Sequence, residues 1–108
     1  MKVEVYLTLK HRDVNAKGIY DGTTMTVLPG GKISPDFAEH IRGGKTAKSF
    51  RNDREFVDET GRIIKECVFS SPSTAAQFVT GRSTNGFEAW KVEKKISLGQ
   101  YLKEKGLR

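Results

Sequence analysis

Five cations recur at every third position between residues 42 and 54. They are Arg42, Lys45, Lys48, Arg51 and Arg54, and Asp53 is the only acid among them. On a helix beginning near Thr46, Lys48, Arg51 and Arg54 fall along one stripe that drifts slowly around the axis. Such a stripe can follow a phosphate backbone, each contact adding to the salt dependence of binding. It positions a nucleic acid without reading its sequence. The competing reading is an ordinary solvated helix face. A second polar group stands later in the chain. Arg82 follows a helix stop and is expected to point outward, towards a phosphate or a base edge. Asn85 is chiefly a turn residue, because it tolerates positive φ, and its amide also matches an adenine edge. Lys91 adds a further cation. The expected nucleic-acid contacts are Arg42, Lys45, Lys48, Arg51, Arg82, Asn85 and Lys91.

Catalytic chemistry has weaker footing. Gly18-Ile19-Tyr20 spells half of the GIY-YIG nuclease motif, but no Tyr-Val-Gly or Tyr-Ile-Gly follows on a second strand. The helix-borne Arg and the metal-binding Glu of that nuclease family have no matching frame either. Phosphodiester hydrolysis needs an activated nucleophile and charge stabilisation, usually from a metal. Gly44-Lys45-Thr46 resembles the end of a phosphate-binding P-loop, yet Glu39 occupies the position of its first glycine and no buried strand precedes it. A glycine-marked basic loop can still offer backbone N–H groups and Lys45 to a single phosphate. His11 and His40 are far apart, and Cys67 has no Cys or His at ligand spacing, so neither a metal nor a cofactor is expected. Asp53, Asp58 and Glu59 read as solvated acids. Ser70, Ser71, Ser73 and Ser83 read as caps and turn formers, with no His or Lys nearby in sequence to activate them. The chain is not expected to be an enzyme.

The elements that must position these residues follow from periodicity. A chain of 108 residues makes one small domain, 1–108. Its six Phe, three Tyr and one Trp argue for folding rather than disorder. Val3, Val5, Leu7 and Leu9 alternate with polar neighbours and predict a strand with one buried face. Residues 14–21 read as a second strand, with Ala16, Gly18 and Tyr20 on one side and Ile19 on the other. Asp21-Gly22 signals a hairpin into a third strand from Thr24 to Leu28. Lys32, Ile33 and Ser34 read as a short fourth strand ended by Pro35. Phe37 and Ile41 offer inward packing before Gly43-Gly44 breaks the chain. The spacing predicts a helix over 49–59, stopped by Gly61, and a strand over 63–69. Ser97 is a candidate cap for a last helix, 98–105, with Leu98, Tyr101 and Leu102 on one face. The expected fold is α+β: a small, mostly antiparallel sheet with two or three helices.

The stretch from Val68 to Glu93 carries the densest local signals. Ser71 caps a helix that begins at Pro72, where a missing N–H costs nothing. Ala75, Ala76, Phe78 and Val79 form its apolar stripe, and Gly81 supplies the left-handed stop. Asn85-Gly86 is a strong turn signal, so residues 87–93 read as a strand, with Trp90 filling core space. This unit is expected to present Arg82, Ser83, Asn85 and Lys91 around an aromatic anchor. The N-terminus of the 72–80 helix is expected to keep first-turn N–H groups partly free for an anion.

The sequence Phe-Ser-Ser-Pro-Ser-Thr-Ala-Ala from residue 69, Gly-Arg-Ser-Thr-Asn-Gly-Phe from residue 81 and Trp90-Lys91 resembles a bacterial domain of unknown function. That domain often follows GIY-YIG-type nuclease modules or occurs beside restriction–modification proteins. The same shape is similar to the RAMA domain (restriction enzyme and adenine methylase associated), proposed to read DNA. The resemblance covers about 14–93, with its specific part at 68–91. It implies a fold and a nucleic-acid association, and transfers no catalytic residues.

The formal net charge of +6 favours anionic partners, nucleic acid first. DNA is expected ahead of RNA, with a nuclease or methyltransferase as a protein partner. The single cysteine fits a reducing compartment and reads as a buried thiol, and no apolar run is long enough for a membrane span. The expected location is cytoplasmic. The expected function is a non-catalytic nucleic-acid-binding accessory domain. The alternative is a protein-interaction module that docks a partner through its sheet or its amphipathic C-terminal helix.

Overall fold

The computed structural model describes residues 1–10, 12–38, 44–93 and 95–107. Expectations placed on His11, Glu39, His40, Ile41, Arg42 and Gly43 lie outside the described residues. The chain forms β1 (Val3–Leu9), β2 (Val14–Tyr20), β3 (Met25–Val27), α1 (Lys45–Arg51), β4 (Cys67–Phe69), α2 (Pro72–Thr80), α3 (Gly86–Ala89) and α4 (Leu98–Glu104). The four strands make one sheet in the order β1-β2-β3-β4, and every neighbouring pair is antiparallel. The α+β class expected from periodicity is the class observed.

Alternation explains the layers. Val5 lies opposite Gly18, and Gly18 opposite Val27. Val3, Val5, Leu7, Val14, Ala16, Met25, Val27, Cys67 and Phe69 therefore share the inner face and are all buried. Ala75, Ala76, Phe78 and Val79 of α2 are buried with them in a single core. The Asp21-Gly22 turn is fixed by chemistry as well as by glycine. The Asp21 carboxylate accepts the N–H groups of Thr23 at 2.9 Å and Thr24 at 2.6 Å. Those bonds hold its carboxyl well below the usual carboxylate range. Gly22 takes φ 101°, which a side chain resists. The outer face of the sheet stays open, with Tyr6 and Val68 exposed on it.

Four sequence expectations need correction. The helix expected at 49–59 is α1, Lys45–Arg51. It stops early because the Asp53 carboxylate takes the N–H of Glu55 at 2.9 Å, a side-chain turn that competes with the helix. The strand expected over 63–69 narrows to Cys67–Phe69. Ile63 instead bonds backbone to backbone with Gly30 and Gly31, joining a different part of the chain. The strand expected over 87–93 is replaced by the short α3, followed by isolated bridges from Lys91 to Tyr6 and to Ser97. Asn85 opens that helix: its side-chain oxygen accepts the N–H of Phe87 at 3.1 Å. The fourth strand likewise reduces to bridges from Lys32 to Asn15 and Arg62.

α4 is capped as expected, Ser97 Oγ accepting the Gln100 N–H at 3.1 Å. Its Leu98 and Leu102 are buried in the chain's own core, so the helix does not present a free apolar face. Among the described residues, no helix is long and apolar enough to cross a membrane.

Candidate functional site

α2 is the hub that positions the polar residues, and both of its ends are closed by the rest of the chain. At the N-terminus Ser71 Oγ accepts the Thr74 N–H at 3.1 Å, as a cap should. Ser73 Oγ accepts the N–H of Gly86 at 2.9 Å, and the Trp90 indole N–H donates to the Pro72 carbonyl at 3.0 Å. Gly86 lies so close that a Cβ there would stand 2.1 Å from the Pro72 carbonyl carbon. The Ser-Pro-Ser and Asn-Gly-Phe segments are thus two halves of one joint, locked by a fully buried Trp90. The start of α3 packs against Pro72 and Ser73 at this terminus, where the anion site was expected.

At the C-terminus Gly81 adopts φ 74° and its N–H bonds to the Gln77 carbonyl at 2.8 Å. Helix ends leave carbonyls without intrahelical partners, and here the segment 34–38 and Arg51 serve them. The Ser34 N–H takes the Val79 carbonyl at 2.9 Å. The Arg51 guanidinium takes the Phe78 carbonyl at 2.6 Å, the Asp36 carbonyl at 2.9 Å and the Ser34 carbonyl. A cation at a helix C-terminus also suits the helix dipole. Arg51 is only 8% exposed, and burial pushes its pKa down to about 10, the Asp36 carboxylate opposing the fall, so it stays charged at neutral pH. This corrects the phosphate stripe. Arg51 faces inward and serves the fold, and Arg54 donates to the Val57 carbonyl at 2.9 Å.

The remaining sequence candidates are on the surface but not together. Lys45 and Lys48 are exposed on α1. Arg82 is exposed and lies 3.9 Å from the Asp36 carboxylate, which is held more closely, at 2.6 Å, by Arg12. Asn85 is exposed, but its side-chain oxygen is engaged as the α3 cap. Lys91 sits beyond β1, the opposite edge of the sheet from β4. At about 4.8 Å per strand, four spacings put it roughly 19 Å from the β4 edge, where Phe50 of α1 meets Phe69 edge to face. Arg42 lies outside the described residues.

The cleft lined by Arg12, Lys32, Arg51 and Arg54 is rich in cations, with a volume of about 450 Å³. Those cations are engaged. Arg12 pairs with Asp36 and Lys32 with Asp13, and the other two bind carbonyls. Lys45, Lys48 and Lys91, by contrast, make no ion pair among the described residues. Neither do Lys10 and Lys95, which together with Tyr6 are surface residues that the reading by sequence passed over. Cys67 is buried and burial pushes its thiol up to about 12, so it is a structural group. Among the described residues, no group of three or more His, Cys, Asp or Glu is placed to hold a metal ion.

The chain matches the family described as domain of unknown function DUF4357 over residues 7–102. It belongs to that family, and the match takes in every element but the start of β1 and the last turn of α4. No curated protein and no solved structure matches it.

Proposed function

We propose that this domain is a non-catalytic nucleic-acid-binding accessory module that works beside a DNA-processing or restriction–modification protein. The observation that carries the reading is uncompensated positive charge. The net charge is +6, and Lys45, Lys48 and Lys91 are exposed without a carboxylate partner among the described residues. Solvent-facing cations of this kind attract phosphate through counterion release. The resemblance of the Ser-Pro-Ser and Asn-Gly-aromatic segments to RAMA domains, and to a domain that accompanies GIY-YIG-type nuclease modules, supports DNA ahead of RNA. A non-catalytic role is supported by the serines, since Ser71 and Ser73 are both engaged in the α2–α3 joint.

The test is a fluorescence-anisotropy titration with duplex DNA, single-stranded DNA and RNA at two salt concentrations. The reading expects binding at low salt that weakens steeply as salt rises. Absence of binding to all three at low salt defeats it. The second reading, a protein-docking module, draws on Ile64 and Val68, which are 48% and 54% exposed. Val68 lies on β4, the last strand in the sheet order, where an added strand can pair.

A further inference from the structure

Tyr6 stands between two clefts of different charge. On one side a groove of about 500 Å³ is lined by Tyr6, Val92, Lys10, Lys91 and Lys95, with Glu93 as its one carboxylate. On the other a cleft of about 530 Å³ sets Lys2 and Lys105 against Glu4, Glu93 and Glu104. The first is basic with an apolar wall. The second is close to balanced, because Lys17 pairs with Glu4 at 3.3 Å and stands 5.7 Å from the centre of the Tyr6 ring. The basic groove is also built into the backbone. The Tyr6 N–H bonds to the Lys91 carbonyl and the Lys91 N–H to the Tyr6 carbonyl, both at 2.8 Å. That pairing sets the two side chains beside each other on the open face of the sheet. The Lys91 ammonium donates to the Glu88 carbonyl at 2.5 Å, a bond that leaves its charge uncompensated. Beyond it, the Val92 N–H bonds to the Ile96 carbonyl and the Lys95 N–H to the Val92 carbonyl. This closes a turn on which Lys95 is held at φ 63°.

The geometry points to a single-stranded nucleic-acid segment as the occupant of this groove, one base against Tyr6 and Val92 and the flanking phosphates on Lys10, Lys91 and Lys95. An anion alone has no use for the aromatic and aliphatic wall. A duplex keeps its base faces stacked within the helix, whereas a single strand offers a base face and phosphates together. This inference rests on the nucleic-acid reading above and narrows it to one strand and one face.

The experiment compares a short labelled oligo-dT strand with a duplex of equal length by anisotropy. The proteins are wild type, Tyr6→Ala, Tyr6→Phe and the double variant Lys10→Ala/Lys95→Ala, each checked for folding by circular dichroism. The wild type should prefer the single strand. Tyr6→Ala should lose about tenfold in affinity, in the range of one stacked base, and Tyr6→Phe, which keeps the ring face, should retain it. The lysine double variant should lower the single-strand salt slope by about 1.4, or about 0.7 per phosphate contact. Its changes are on exposed side chains, so it carries the test if Tyr6→Ala melts early. Unchanged single-strand binding in Tyr6→Ala and in the double variant overturns the groove while leaving nucleic-acid binding intact. No binding to strand or duplex at low salt overturns both. Binding of a poly-glutamate peptide instead, lost in the same variants, assigns the groove to an acidic protein partner and also overturns it.

Discussion

At the C-terminal end of α2 the guanidinium of Arg51 is buried among the carbonyls of Ser34, Asp36 and Phe78. At the outer edge of β1 the ammonium of Lys91 stays exposed beside Tyr6. Both have other cations close by in the chain, and their side chains carry the same charge. The difference lies in what the fold delivers to each. Arg51 meets carbonyls that a helix end and a connecting segment leave without partners, and its five donors in a planar fork serve several at once. Lys91 meets one carbonyl and open solvent. A cation therefore becomes structural where the backbone around it is short of donors, and stays available to a ligand where it is not.

The sharpest way to test that division is to break the α2 hub. Trp90→Ala should destabilise the domain by about 3–5 kcal/mol, the range for a buried aromatic, read as a lower urea midpoint. It also removes the donor to the Pro72 carbonyl. A variant of normal stability that no longer binds DNA would transfer Trp90 from the joint to the interface. Arg51→Met should cost about 2–3 kcal/mol, because buried carbonyls lose their donors. Its salt slope for DNA binding should match wild type under conditions where it remains folded. A slope lower by about one unit would put Arg51 back among the phosphate contacts and erase the contrast with Lys91. Ser71→Ala should cost about 1 kcal/mol through the lost cap, with DNA affinity unchanged. A loss of affinity without loss of stability would mean that the α2 N-terminus is open to a ligand after all.

The parts of this structure legible in the sequence are those decided by near neighbours. The alternation of Val3, Val5 and Leu7 is enough for β1, and Ser71-Pro72 through Gly81 bounds α2 at the residues observed. The parts that were misread depend on distant partners. Asn85-Gly86 suits a hairpin turn and a helix cap equally well, and the choice is made by Ser73 and Pro72, which lie against Gly86. Arg51 belongs by spacing to an exposed stripe, but its acceptors come from residues 34, 36 and 78, which no local pattern connects to it. Tyr6 occupies the polar side of a strict alternation. That was the available sign of an exposed aromatic, while its pairing with Lys91 spans most of the chain.

The smallest expected effect on stability comes from Lys48, three residues before Arg51 on the same helix. Lys48 is exposed and only its backbone is engaged, its N–H bonding to Gly44 and its carbonyl accepting from Asn52. Removing the side chain breaks no bond among the described residues, so Lys48→Ala should shift stability by no more than about 0.5 kcal/mol. Alanine is also the better helix former, which offsets part of any loss. If α1 touches duplex DNA, the same variant should lower the salt slope by about 0.9, one phosphate contact, and weaken binding to all sequences alike. Adjacent cations on one helix then divide cleanly: Arg51→Met moves the melting curve and leaves the slope, and Lys48→Ala moves the slope and leaves the melting curve. A slope unchanged in Lys48→Ala, measured beside the Lys10→Ala/Lys95→Ala double variant, would take α1 out of the interface and leave the β1 edge as the face that meets the nucleic acid.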